Sequence, residues 1–464
     1  MPREPLDSRL RGPLKHTHLR PLACALLALV ACAGPRDDWH AQLDDWEASL
    51  EEVTEAPELR PIDEQSGLED LILNALAHNP GLRAAFDRWD AALQRVPQAA
   101  ALPAPRLTFA AYLAEVETRA GPMQSRIGLA QPFPWPGKLE AAATAAEHLA
   151  QAAGSEVDAR RLEVAHEVQD AWFELSWLKR AIGITARHRS LLLGWEQVAR
   201  SHFESGSGSH ADVIRAQVEL GKLENRVQTL ADLERPIAAR LNATLGRPTA
   251  TTLPAPDETL ARTPDLDGAA LQEQLSETSP ALLSQRHRIE AAEQAVILAE
   301  KEFWPDFSLG ADYTFIGDAS NPGVSGSGDD AFALSLGIEL PIWRSAYRAG
   351  EREAQARLSG ARRMLEAATL ELEADLEMAL YRLRDANRRV DLFRNTLIPK
   401  GEESVASSDA GYRTGHQDFL DLLDAQRVLL EFQLQTVRAE TDSAQALAEI
   451  ERLTGTRTRG VQRP

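Results

Sequence analysis

The chain has 464 residues, 44% of them hydrophobic but only 6% aromatic, which allows two or three domains with an apolar content carried by Ala and Leu. Such a balance suits long, closely packed helices rather than sandwich cores. A formal charge of −20 excludes a nucleic-acid binder, whose surface must neutralise phosphates.

Residues 1–31 read as a secretory signal. Arg3, Arg9, Arg11, Lys15 and Arg20 outweigh Glu4 and Asp7, and the apolar run Leu22 to Ala31 follows. That run is too short for a permanent membrane helix, which takes about 20 apolar residues. It ends in Leu29-Val30-Ala31-Cys32, which resembles the lipobox of bacterial lipoproteins. The resemblance implies cleavage before Cys32 and acylation of that cysteine, so that residues 32–67 form a lipidated N-terminal segment. Cys24 leaves with the signal, and no thiol remains free. Ala33 then implies sorting to the outer membrane. The plain alternative is two incidental cysteines in an apolar stretch. The length before Leu22 leaves the start codon open.

Two copies of one unit follow, over 68–248 and 268–457, joined by the Pro-rich linker 249–267 and followed by the tail 458–464. Pro132-Phe133 matches Pro341-Ile342, Gly206 matches Gly415, and Ala216-Gln217 matches Ala425-Gln426, each pair 209 residues apart. Asn79-Pro80 and Ser279-Pro280 place an N-cap before a proline at the first helical position. In the first copy a short helix over Pro80–Gln98 leads to a hairpin over 105–134. A long helix over 138–203, free of proline, would extend roughly 100 Å. After a tight turn, a helix over 211–245 carries Leu220, Leu223, Val227, Leu230, Ile237 and Leu241 at three-four spacing, a coiled-coil seam.

The second copy repeats this plan with a hairpin over 305–341, a long helix over 343–412 and a helix over 418–455. Its strands alternate cleanly: Phe307, Leu309, Ala311, Tyr313 and Phe315 share one face, and Phe332, Leu334, Leu336, Ile338 and Leu340 share one face of the returning strand. Each is close to the roughly 9 to 11 residues that cross a bilayer at a tilt. Pro399 predicts a bend or break in the second long helix. Four strands cannot close a barrel in lipid, where about eight are the minimum, but three copies would supply twelve. Soluble hairpins packed by one face on helices are the alternative.

The duplicated plan, together with Gly411-Tyr412-Arg413-Thr414-Gly415 and Asp418 to Gln426, resembles the TolC-type outer-membrane efflux factor family over about Leu68 to Gly455. The resemblance implies a mainly α fold with membrane β: a homotrimer whose twelve-stranded β-barrel continues as an α-helical barrel into the periplasm. It implies a passive exit duct in the outer membrane, lipid-anchored and membrane-spanning. The expected partners are outer-membrane lipid, a periplasmic adaptor and an inner-membrane pump of the resistance-nodulation-division type. Gln131 to Lys138 looks like the heavy-metal branch, although a structural turn explains it equally well. Drug efflux, type I protein secretion and a periplasmic coiled-coil scaffold are the alternatives; apolar-out hairpins argue against the scaffold.

The same resemblance places a periplasmic gate at the helix–helix turns. Asp421 and Asp424 match the family's paired gate aspartates, Tyr412 its gate tyrosine and Asp212 a gate acid of the other copy. Threefold symmetry would turn each aspartate into a ring of carboxylates that favours cations. Helix capping by Ser209 with Asp212, and by Asp418 with Asp421, accounts for Asp212 and Asp421 equally well. Asp424 lies almost a turn deeper, where capping offers no explanation. Gln417 stands where the family often has a basic residue, leaving at most a hydrogen bond to Asp212. His202, His210 and His416 cluster near the turns, but lone surface histidines are commoner than ligand sets, so no metal and no cofactor are expected. No phosphate loop, zincin helix or nucleophile elbow appears, so the chain is not read as an enzyme.

Overall fold

Proline positions and apolar periodicity set most element boundaries in this protein. The structure, a computed structural model, describes residues 62–256, 266–321 and 323–455. The signal over 1–31, Cys32, most of the lipidated segment, the middle of the linker and the tail lie outside the described residues. In chain order the elements are α1 (Leu68–His78), α2 (Pro80–Leu93), α3 (Arg95–Ala100), β1 (Arg106–Ala111), β2 (Glu117–Thr118) and β3 (Gly121–Phe133). Next come α4 (Lys138–Glu204), α5 (His210–Thr244), α6 (Gly268–Thr278), α7 (Pro280–Lys301), β4 (Asp306–Ile316) and β5 (Ala331–Glu339). The chain ends in α8 (Arg344–Leu392), a π-helical turn (Phe393–Leu397), α9 (Ile398–Arg413) and α10 (Phe419–Thr454).

Three of these elements differ from the sequence expectation. The helix expected over Pro80–Gln98 is broken at Gln94, because Pro97 has no N–H to donate and its ring crowds the carbonyl of Leu93. The first strand of the hairpin expected over 105–134 is short, ending at Ala111, although Tyr112 N–H still donates to Gln124 O at 3.1 Å. The long helix expected over 343–412 widens into the π-helical turn just ahead of Pro399, whose ring would otherwise meet the carbonyl four residues earlier. By contrast, α5 runs unbroken through Pro236.

The chain divides into two compact units. The first, built from 93–147 and 292–356, is organised by an antiparallel sheet in the order β1-β3-β4-β5, with the short β2 also on β3. β3 therefore joins the two hairpins, pairing with β4 from Phe133 opposite Phe307 to Met123 opposite Ile316. Period-two alternation puts the apolar side chains in rows across all four strands: Phe109, Ile127, Tyr313 and Phe332 in one, Leu107, Leu129, Ala311 and Leu334 in the next. Much of this face is open, with Leu107 71% and Leu334 76% exposed. The opposite face is polar and carries the Arg126–Asp312 ion pair at 2.7 Å. β1 and β5 form the sheet's edges within the chain.

Where β3 gives way to α4, Trp135 stacks on Trp304 at 4.9 Å, and the buried Lys138 ammonium sits 2.9 Å from Asp306 and 3.3 Å from Glu302. Asp306 also accepts the Trp135 N–H at 2.7 Å. One aspartate of β4 thus holds both the Trp135 backbone N–H and the Lys138 ammonium of the strand-to-helix turn.

The second unit, from the described parts of 51–92, 148–291 and 357–464, is helical. The predicted seam of α5 turns inward: Leu223 and Leu230 are buried in one core, against which Leu220 and Ile237 pack, and Leu241 is buried in a second. The helix breaks are tied to the helix ends. Asn79 Oδ1 accepts the Leu82 N–H and Asn79 Nδ2 donates to Thr244 O at 2.8 Å, while Thr278 Oγ1 donates to Thr454 O at 2.8 Å. No helix among the described residues is long and apolar enough to cross a membrane.

Candidate functional site

The turn between α4 and α5 and the turn between α9 and α10 close by the same hydrogen bonds. Gly206 N–H donates to Phe203 O and Ser207 N–H to His202 O; Gly415 N–H donates to Tyr412 O and His416 N–H to Gly411 O. Both glycines adopt left-handed φ values, +77° and +76°, which ends each helix at little steric cost. Ser209 then caps α5 by accepting the Ala211 N–H at 3.1 Å, and Asp418 caps α10 by accepting the Leu420 N–H at 3.3 Å.

Beneath the turns lies an aromatic plug. Tyr412 is buried, its ring 5.3 Å from His202 and 5.0 Å from Phe419, within a cluster that includes Val213, Ala216, Leu422 and Leu423. Its hydroxyl is buried and has no hydrogen-bond partner among the described residues. Burial first, then the carboxylates of Asp212 and Asp418, push its pKa up to about 12, so it stays a neutral phenol. Tyr412→Phe removes a hydroxyl that has no partner among the described residues, so thermal unfolding should move by no more than about 1 kcal/mol, whereas Tyr412→Ala should cost about 3–5 kcal/mol. A large loss in the phenylalanine variant would mean that the hydroxyl has a partner elsewhere.

The acids divide into two groups. Asp212 is buried and held 3.1 Å from Arg215. Asp424 is exposed and sits 3.0 Å from Arg427, whose other nitrogen lies 2.6 Å from Glu219. Asp421 is exposed and has no ion-pair or hydrogen-bond partner in the chain among the described residues. The deeper aspartate is thus charge-compensated and the shallower one is not. No hydrogen bond joins Gln417 to Asp212 among the described residues; the Gln417 side chain lies over Gly411. Arg215, Arg427 and Glu219 were not picked out from the sequence. The spacing Asp212-x-x-Arg215 and Asp424-x-x-Arg427 held the signal for the first two, since residues three apart share a helix face.

Glu219 bridges α5 to α10. The hydrogen bond from Arg427 holds its carboxyl below the ordinary value, against burial and with help from Lys222. A folded-state pKa lower than the unfolded one gives stability that is present at neutral pH and is lost as pH falls through the depressed folded value. Glu219→Gln should therefore cost about 1 kcal/mol near pH 7 and make unfolding less acid-sensitive, measured as the melting midpoint between pH 7 and 3. Equal acid sensitivity in both proteins would refute the assignment.

The three tip histidines do not form a ligand set. His202 packs on Tyr412, His210 on Phe203, and His416 Nδ1 lies 3.0 Å from the Thr414 hydroxyl.

Comparison with known proteins agrees with this architecture. The profile of the family described as "Outer membrane efflux protein" matches residues 71–247 and 270–456. A curated relative, the cobalt-zinc-cadmium resistance protein CzcC of Cupriavidus metallidurans, is 22% identical over 84% of this chain and 90% of its own length. Among solved structures, the outer-membrane channel OprN superposes with a TM-score of 0.72 at 20% identity, covering 85% of this chain and 94% of that one. The outer membrane protein VceC of Vibrio cholerae gives 0.70 at 21% identity, covering 84% and 96%. The chain belongs to the outer membrane efflux protein family and is an efflux channel protein of the outer membrane, not an enzyme.

Proposed function

We propose that three copies of this chain assemble into the outer-membrane exit duct of a tripartite pump for divalent heavy-metal cations. The observation that carries this reading is the sheet: two edges, β1 and β5, open within the chain, and one face of exposed apolar side chains. An open edge in lipid leaves backbone groups unsatisfied at several kcal/mol each, and pairing β5 of one copy with β1 of the next removes both edges. The likeness to a cobalt-zinc-cadmium resistance protein supports the cargo class. A periplasmic adaptor and an inner-membrane pump of the resistance-nodulation-division type complete the assembly. Cleavage of 1–31 and acylation of Cys32 anchor the chain in the outer membrane.

In this assembly Asp421, Asp424, Asp212, Tyr412 and Gln417 stand at the periplasmic closure. Asp421 supplies the uncompensated ring of carboxylates, and Arg427 tempers the ring of Asp424. Purified protein should run as a detergent-stable trimer and form small, cation-preferring pores in planar bilayers. Asp421→Ala should lower that preference more than Asp424→Ala; an unchanged reversal potential in the double variant would count against the gate. Deleting the gene should sensitise cells to Zn²⁺, Co²⁺ and Cd²⁺, whereas sensitisation to drugs alone would favour drug efflux.

A further inference from the structure

One side-chain cluster lies away from the closure and has no part in it. His148 of α4 and His287 and Glu290 of α7 each bring one ligating atom within 4.8 Å of the others. The Nδ1 atoms of His148 and His287 lie 3.1 and 3.0 Å from the same carboxylate oxygen, Glu290 Oε2. Gln151 Oε1, one turn along α4, stands 3.1 Å from His148 Nδ1. We propose that this cluster is a divalent transition-metal site of the zinc or cobalt class, with His148, His287 and Glu290 as ligands and Gln151 beside them as a fourth donor.

The donor set selects the metal. Two imidazole nitrogens with a carboxylate oxygen suit Zn²⁺, Co²⁺ or Ni²⁺, while Ca²⁺ and Mg²⁺ favour all-oxygen shells. The spacing agrees. Ligand bonds of about 2.0–2.1 Å around a tetrahedral ion put neighbouring donor atoms about 3.3 Å apart, close to both nitrogen–oxygen separations here. His287 and Glu290 share one face of α7 by their three-residue spacing, as His148 and Gln151 do on α4.

The register of the two helices is fixed independently of the cluster. Farther along α4, Glu156 pairs with Arg288 and accepts the Ser284 hydroxyl at 3.3 Å, both from α7. These contacts set the helices side by side and antiparallel, so the cluster's ligands face one another before any ion arrives. The imidazoles are 21% and 29% exposed and the Glu290 side chain 46%, which leaves a path for an ion from solvent. A bound ion would cross-link α4 to α7 more rigidly than hydrogen bonds between imidazole and carboxylate. The site does not depend on what the channel exports, because an ion held here is a resident of the wall and not the cargo.

The test is titration of the full-length, detergent-solubilised protein, stripped of metal, with CoCl₂ read by visible absorption and with ZnCl₂ read by calorimetry and thermal unfolding. The expected result is one ion per chain, ligand-field bands of low-coordinate Co²⁺, and a melting midpoint raised by several degrees with Zn²⁺. His148→Ala, His287→Ala and Glu290→Gln should each weaken binding at least about tenfold, with circular dichroism and size-exclusion mobility like wild type. Glu290→Gln keeps the shape of the cluster, so its loss of binding reports the missing charge and not a folding defect. Replacing His202, His210 and His416 together by Ala should leave uptake unchanged. Wild-type protein that takes up no stoichiometric Co²⁺ would overturn the proposal, and so would uptake that survives His148→Ala with His287→Ala or that follows the tip histidines instead.

Discussion

Leu334→Arg should keep the protein from reaching its assembled form in the outer membrane, with the heat-resistant oligomer band falling well below wild type. Leu334 is 76% exposed on β5 and lies in a row with Leu107, Leu129 and Ala311, so its surroundings in the working protein must themselves be apolar. An arginine on the lipid-facing side of an outer-membrane barrel costs about 2–4 kcal/mol near the bilayer midplane, and each copy in an oligomer adds that cost again. Ala331→Lys, on the opposite face beside Thr314, is the control and should assemble normally. The measurement is the assembled fraction in outer membranes, by gel mobility with and without heating. Wild-type levels of assembly in Leu334→Arg would mean that the face does not meet lipid, and the reading of the sheet would fail with it.

Glu440→Gln should destabilise the helical unit by about 2–3 kcal/mol, measured by denaturant unfolding. The Glu440 side chain is only 8% exposed and is held by two guanidinium groups, Arg180 from α4 and Arg394 from the π-helical turn. Removing one partner from a buried ionic cluster leaves the others desolvated and uncompensated, which is why such losses exceed those of surface pairs. Arg394 is half exposed and can turn to water, so the low end of the range applies. The prediction joins a local feature to a distant one: Pro399 favours the wide turn, the turn carries Arg394, and Arg394 reaches α10. A double-mutant cycle of Glu440→Gln with Arg394→Ala should show coupling above about 0.5 kcal/mol; additive effects would show that the contact does not stabilise the fold.

Much of the proposed closure site was legible in the residues. Gly206 and Gly415, with Ser209 and Asp418 shortly after them, mark two helix ends and two helix starts from backbone chemistry alone. Tyr412 and the aspartates could be named, but their states could not. Whether a carboxylate is balanced depends on which arginine lies within about 3 Å, and Arg427 divides its guanidinium between Asp424 and a glutamate on another helix. Capping left Asp424 as the one aspartate without a helix-end explanation; its ion pair with Arg427 makes Asp421 the less compensated of the two.

What the sequence determined by itself is whatever repeats over a few residues: the strand faces of Phe307 to Phe315, the seam of α5, the caps and the breaks near proline. These follow from backbone periods of 2.0 and 3.6 residues, which act between near neighbours. Tertiary structure alone decided that β3 pairs with β4 to make one sheet of two hairpins, that Glu440 meets two arginines, and that His148 faces His287 and Glu290. Each of these joins segments far apart in the chain, and their register is set by how side chains interlock over many turns. No short stretch of sequence carries that information.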